Sequence, residues 1–268
     1  MSEDGSVGRG ATRFSRGGRS DETDRVTVEE PCEIRLAGEP VAVIMRTPGH
    51  DRELAAGFLY TEAIVQPGDI GTITACTDED ALDPENIVEV RLVPGVEPSG
   101  TWQRNFYATS SCGVCGKASI EAIHVATGRL NDATRFRREV ITGAVPALRS
   151  VQPTFDVTGG IHAAGLFTPQ GDMLVVREDV GRHNAVDKVI GWAYLHERLP
   201  LNGHMLVVSG RQSFEIAQKA LVAGIPLVAG VSAATSLAVD LAAESGMTLI
   251  GFVRGEGFVA YTGAERVI

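Results

Sequence analysis

The chain has 268 residues, 44% hydrophobic and 22% charged, with 24 basic against 34 acidic side chains and a net charge of −10. That length can bury a proper core as one large domain or two modest ones. The acidity argues against a general nucleic-acid binder, which needs a basic face for phosphates. No apolar run approaches the ~20 residues that cross a bilayer, and the start, Met-Ser-Glu-Asp-Gly-Ser, is not a basic segment leading into an apolar one. A cytoplasmic protein is expected, and in that reducing compartment four cysteines do not point to a disulfide framework.

Residues 1–25 are rich in Gly, Ser, Arg and acids, with little to bury, and are expected to form a disordered tail. Five arginines (Arg9, Arg13, Arg16, Arg19, Arg25) are offset there by five acids, the pattern of a solvated linker. Order is predicted from Val26, in a small α+β region over 26–110. Cys32 to Leu36 and Val41 to Met45 form a hairpin around Ala-Gly-Glu-Pro, and Asp51 to Ile64 an amphipathic helix with Leu54, Ala55, Phe58 and Leu59 on its apolar side. Gly71 to Cys76 and Ile87 to Val93 are two more strands, before Pro94 to Gly100 breaks the pattern. A mobile loop over 111–117 and a helical connection over 118–157 follow.

From residue 158 the character changes. A hairpin of 164–168 and 173–178 precedes helix 184–197, strand 205–209, helix 213–223, strand 226–229, helix 234–245 and strand 247–253. Alternation of this kind implies crossover connections and a largely parallel sheet covered on both faces. The runs Met205-Leu206-Val207-Val208 and Pro226-Leu227-Val228-Ala229 suit buried central strands. The fold class is therefore α/β, with a small α+β region ahead of a three-layer α/β domain over 158–268.

The chemistry centres on Ser110-Ser111-Cys112-Gly113-Val114-Cys115-Gly116-Lys117. Glycine follows each thiol, which makes a pliable loop. Lys117 to Ala126 is predicted helical, with Ile120, Ile123 and His124 on one face. A helix N-terminus and a neighbouring lysine both favour thiolate over thiol, and the thiolate is the reactive form. A persulfide carrier suits such a loop, because it must reach both a donor and an enclosed acceptor. A thiol–disulfide couple and a structural zinc site remain open, the latter as part of a nucleotide-binding module. Zinc would need further ligands, because Cys32 and Cys76 stand alone and are taken as core residues.

Five further stretches carry polar chemistry. Arg177-Glu178-Asp179-Val180-Gly181-Arg182-His183-Asn184-Ala185-Val186-Asp187-Lys188 follows a strand and opens a helix, where free N–H groups favour anions and Arg182, His183 and Lys188 add donors. The bland alternative is a helix cap with surface ion pairs. Ser209-Gly210-Arg211-Gln212-Ser213, Val231 to Ser236 (with Ser232 and Thr235) and Phe252-Val253-Arg254-Gly255-Glu256-Gly257 all fall at strand carboxyl ends, where open α/β sheets bind ligands. Together they describe a phosphate- or nucleotide-binding rim, although Ser213 alone would be a cap. His162, in Thr158-Gly159-Gly160-Ile161-His162-Ala163-Ala164-Gly165, faces either that site or a turn.

Five of these motifs in this order (Ser-Ser-Cys-Gly-Val-Cys-Gly, Thr-Gly-Gly-Ile-His-Ala-Ala, Arg-Glu-Asp-Val-Gly-Arg-His-Asn-Ala-Val-Asp-Lys, Ser-Gly-Arg-x-Ser-Phe-Glu and Leu-Ile-Gly-Phe-Val-Arg) resemble the FdhD family, sulfur carriers needed for formate dehydrogenase activity. The similarity runs from about residue 26 to the C-terminus. The resemblance implies a sulfurtransferase: a cysteine desulfurase loads a persulfide on the CxxC loop, and the sulfur passes to a molybdenum held by two molybdopterin guanine dinucleotides before that cofactor enters formate dehydrogenase. It further implies a homodimer and a C-terminal domain like the cytidine deaminase fold, binding the guanine nucleotide part of the cofactor or a GDP-like ligand. Carried over by motif, Cys112 bears the persulfide, Cys115 is its partner, and Phe252 to Gly257 match the cofactor-binding segment. The deaminase zinc signature is absent, since no Glu follows His162 at the required spacing and Ser111 precedes Cys112.

Overall fold

The structure is a computed structural model that describes residues 5–77, 81–99 and 128–268. The CxxC loop with Cys112 and Cys115, and the helix expected over 117–126, lie outside the described residues.

The expected tail is instead a hairpin. β1 (Ser6–Ser15) pairs antiparallel with β2 (Gly18–Thr27), turning at Arg16-Gly17, and Gly18, which opens β2, has φ 116°. Composition counted the arginines and acids as cancelling, but the register sets them on facing strands. Arg9 lies opposite Asp24, Thr12 Oγ1 donates to Asp21 at 2.7 Å and Arg13 Nε to Glu22 at 2.6 Å. Such cross-strand pairs stabilise a ribbon. A lone two-stranded hairpin is marginal in water, and this one is anchored at its base: Val28 N donates to Gly5 O, and Thr27 Oγ1 to Thr158 and Gly160.

The next unit is a four-stranded sheet in the order β4-β3-β6-β5. β3 (Glu30–Leu36) and β4 (Glu39–Arg46) form the expected hairpin, β5 (Ile70–Ala75) runs antiparallel to β6 (Ile87–Leu92), and β3 runs parallel to β6. Helix α1 (Asp51–Thr61) packs beside it.

The larger sheet has the order β12-β11-β10-β9-β7-β8. β7 (His162–Phe167) and β8 (Met173–Asp179) form the expected hairpin at one edge. β9 (Met205–Val208), β10 (Leu227–Gly230) and β11 (Thr248–Arg254) are mutually parallel. The sheet is nevertheless mixed, not largely parallel. β7 joins β9 antiparallel, and β12 (Gly257–Thr262), which pairs antiparallel with β11, begins at the last residue of the stretch read in the sequence as a binding turn.

Both faces are covered, and period-2 alternation decides which residue serves which. Met205 and Val207 join Ile141, Ala144 and Leu148 of α2 (Arg138–Arg149) on one face. Leu206 and Val208 meet the layer of α4 (Arg182–Leu195), α5 (Phe214–Val222) and α6 (Ser236–Ser245) on the other, in one core shared with α1 and the smaller sheet. A short helix, α3 (Pro153–Thr158), follows α2. No helix among the described residues is long and apolar enough to cross a membrane.

Candidate functional site

One edge of the larger sheet gathers five chain reversals. β9, β10 and β11 end there, β8 ends there because it is antiparallel to β7, and β7 begins there at His162. The strands lead into α4, α5, α6 and the β11–β12 turn, so three helix N-termini open on this edge with their free N–H groups.

The loops are tied to one another. Ser209 N donates to Ala163 O, and Ser209 Oγ accepts from Ala163 N at 2.8 Å. Gln212 is a buried staple: its N donates to Ala233 O, its carbonyl accepts from Thr235 N, and its Nε2 donates to Ile250 O at 3.0 Å. Ser232 O accepts from Phe252 N at 3.1 Å. A Cβ on Gly210 would lie 3.3 Å from His162 Nδ1 and 3.5 Å from Arg182 Cδ, so glycine lets those two side chains converge.

Arg182 and Arg211 form the cationic part of the rim, beside His162. Burial, then the positive charge of Arg182, hold the His162 imidazole below its ordinary value; Asp179 opposes them, and Arg211 adds a smaller push in the same direction as Arg182. The Arg182 Nε is buried without a hydrogen-bond partner among the described residues. An uncommitted guanidinium donor beside helix N-termini fits an anionic ligand such as the phosphates of a dinucleotide.

Several expected ligands serve elsewhere. Lys188 is buried, its Nζ 2.7 Å from Asp179 and donating to Thr47 O at 2.8 Å; its position one turn and a half into α4 aims it inward, not at the rim. His183 is also buried, with Nε2 3.1 Å from Ser213 Oγ and 3.3 Å from Glu215. Val253 packs in the core. Phe252, by contrast, is exposed with φ 53°, a left-handed conformation uncommon for an aromatic residue. Arg254 is exposed beside its ring. Gly255, Glu256 and Gly257 form the exposed β11–β12 turn, and Arg138 of α2 donates to Glu256 O at 2.6 Å. Thr235 is exposed ahead of α6 and makes no side-chain cap bond.

Two organising residues escaped the sequence reading. Asp179, fully buried, accepts from Gly181 N, Asn184 Nδ2 and Thr47 N besides pairing with Lys188, and so fixes the turn that presents Arg182. Gln152 lies at the head of α3, buried against the site. A buried carboxylate in a charged motif was legible as something to satisfy; a lone glutamine carried no signal.

A pH dependence follows from His162. Its folded value lies below the ordinary ~6.5, so as pH falls through that value the unfolded chain takes up the proton first and stability drops until the folded form titrates too. His50, lowered by burial and by Arg177, acts the same way. The melting temperature should therefore fall between about pH 7 and 5, and His162→Asn should flatten part of that slope. An unchanged slope in the variant would remove His162 from the account.

The pattern of the FdhD/NarQ family matches residues 27–268, from the last residue of the hairpin onward. The sulfur carrier protein FdhD of Streptomyces avermitilis is 49% identical, over 97% of this chain and 94% of its own. The protein of the same name from Mycolicibacterium paratuberculosis is 50% identical over 97% of both chains, and that from the archaeon Saccharolobus solfataricus 44% identical over 92% of both. A crystal structure of a candidate formate dehydrogenase accessory protein from Desulfotalea psychrophila superposes with a TM-score of 0.77 at 25% identity, over 98% of this chain and 99% of that one. Agreement of this extent, in sequence and in fold, makes the chain a member of the FdhD/NarQ family.

Proposed function

We propose that this protein is a sulfurtransferase: it carries sulfur as a persulfide on Cys112 from a cysteine desulfurase to a molybdenum cofactor bound by two molybdopterin guanine dinucleotides, destined for formate dehydrogenase. The observation that carries the reading is the convergence of three helix N-termini, Arg182 and Arg211 on one sheet edge, in a chain whose relatives are named sulfur carriers. A doubly guanylylated cargo presents several phosphates, and the local field of such an edge outweighs the overall acidity. Phe252, Arg254 to Gly257, Ser209 to Arg211, Ser232 and Thr235 border the place where the cargo would lie. Two copies pairing, in the cytoplasm, belong to the same proposal.

Loading is a balanced exchange. The Cys112 thiolate attacks the terminal sulfur of the donor's persulfide, the donor's S–S bond breaks, and the donor leaves as a thiolate. Delivery at the sulfide level needs two electrons. The Cys115 thiolate supplies them by attacking Cys112 Sγ, expelling hydrosulfide and leaving a Cys112–Cys115 disulfide for a cellular thiol reductant to reopen.

Mass spectrometry after incubation with a cysteine desulfurase and cysteine, without reductant, tests this. Wild type should gain ~32 Da on the Cys112 peptide, reversed by thiols, and Cys112→Ala should gain nothing. Cys115→Ala should load but release little hydrosulfide. No gain in wild type, with zinc retained in the native spectrum, would replace the carrier by a zinc-stabilised binding module. A disulfide forming without any sulfur gain would favour an oxidoreductase.

A further inference from the structure

We infer that the tip of the N-terminal hairpin docks onto the acidic β5–β6 loop of a second copy of this chain. Phe14, with Arg16 and Arg19 around it, meets Leu82, with Asp83 and Glu85 around it. The contact stands apart from the sulfur chemistry and uses none of its residues.

β1 and β2 form a two-stranded sheet of their own, and the bonds that tie it to the body lie at its base. Strands of ten residues place the tip about 30 Å from that base. Beyond the base the strands are mostly exposed, so no apolar packing repays their ordering. The acids of β2 are matched within the hairpin: Asp24 faces Arg9, Asp21 accepts from Thr12 and Glu22 from Arg13. The turn end keeps the surplus of positive charge. Arg16 makes no ion pair among the described residues. Arg19 comes only within 3.6 Å of Asp21, with both side chains mostly exposed, a pair of little strength. Phe14 lies directly opposite Arg19 and is 76% exposed.

The complementary feature lies between β5 and β6. Leu82 is 95% exposed, and Asp83 and Glu85 are exposed beside it. The buried Arg46 donates to Asn86 Oδ1 at 2.9 Å, which holds the end of this loop against the smaller sheet. Single exposed apolar side chains are ordinary on protein surfaces. These two are the most exposed large hydrophobic residues among those described, and the charges around them are of opposite sign. Their exposure means that they do not meet within one chain. A second copy supplies both halves at once, tip on loop and loop on tip, about a two-fold axis. The net charge of −10 disfavours nucleic acid as the tip's partner and favours acidic surfaces such as this chain's own. Two small contacts of this kind make a weak, salt-sensitive pairing.

Photo-crosslinking of the full-length protein tests the contact. Phe14 is replaced by p-benzoylphenylalanine, and isotopically light and heavy chains are mixed in equal amounts before illumination. The crosslinked peptide should contain Leu82 and should join light chains to heavy ones. A crosslink to another part of the surface, one confined within single chains, or none would overturn the contact. Charge reversal is the second arm. Arg16→Glu/Arg19→Glu and Asp83→Arg/Glu85→Arg should each lower the yield about tenfold or more, and the chain carrying all four changes should recover it, because opposite charges face each other again. All four positions are exposed, and circular dichroism checks that the variants fold. A folded four-fold variant that stays at the yield of the double variants would overturn the pairing. Added salt should lower the yield of wild type and of the four-fold variant alike. Capture of an added DNA duplex in place of the second copy would assign the tip to phosphate and overturn it too.

Discussion

Gly191→Ala should lower the melting temperature by several degrees or more, although alanine is the better helix former. Gly191 of α4 and Gly57 of α1 face each other where the two helices cross, inside the core that unites the two sheets. A Cβ on Gly191 would overlap the Glu53 carbonyl and come within 2.8 Å of Gly57 N; one on Gly57 would overlap the Asp187 carbonyl. Both obstacles are backbone, so no rotamer change relieves them, and the helices themselves must part. Overpacking a core typically costs about 1–3 kcal/mol, and backbone clashes sit at or above the upper end. The propensity gain of glycine to alanine offsets only ~1 kcal/mol. A net loss of about 2–3 kcal/mol corresponds to roughly 4–12 °C in a chain of this size. Gly143→Ala is the control. That glycine is exposed within α2 with nothing near its added methyl, so propensity alone should act and the melting temperature should hold or rise. If both variants behave alike, close packing is not what Gly191 provides.

Neither glycine was legible in the sequence as a contact, because a helix crossing is a relation between elements that no local pattern records. Elements with strong periodicity were legible. The hairpin of β3 and β4, helix α1, and the alternation from β7 to β11 appear within a few residues of expectation, since apolar runs and turn residues report local burial directly. The hairpin at residues 6–27 was missed because its stability lies in which charge faces which, and Arg13 and Glu22 are nine residues apart. β12 was missed because Phe252 to Gly257 carried a binding motif, which concealed the strand that starts at Gly257. The rim was visible as a convergence, since strand carboxyl ends in a crossover sheet must share an edge. Individual roles were not. Lys188 and His183 look like ligands in a list of charged residues, and only burial separates them from Arg182.

Lys188→Met is expected to be the most damaging change at a residue that never reaches the rim. Its ammonium is 1% exposed and meets Asp179, 0% exposed, at 2.7 Å. Removing the cation strands a carboxylate in the interior, a loss of about 3–5 kcal/mol in comparable buried pairs. Asp179→Asn alone should also be harmful, because it leaves the ammonium unpaired while preserving most of the shape. The double variant removes both charges, and its cost should fall short of the summed single costs by roughly 1–3 kcal/mol, the signature of direct coupling. Denaturant titrations of the four proteins measure this; strict additivity would mean that the pair is not energetically linked. The position of the damage matters as much as its size. Asp179 Oδ1 accepts from Gly181 N and Asn184 Nδ2, both at 2.8 Å, so the carboxylate that Lys188 neutralises also shapes the turn carrying Arg182. A buried cation thereby supports the proposed anion site, whose surface it does not share. Asp179→Asn/Lys188→Met can recover stability yet still bind GDP more weakly than wild type, since an amide has one acceptor oxygen and its nitrogen cannot accept from Thr47 N as carboxylate Oδ2 does. Recovery of both stability and binding would confine the pair to holding the fold.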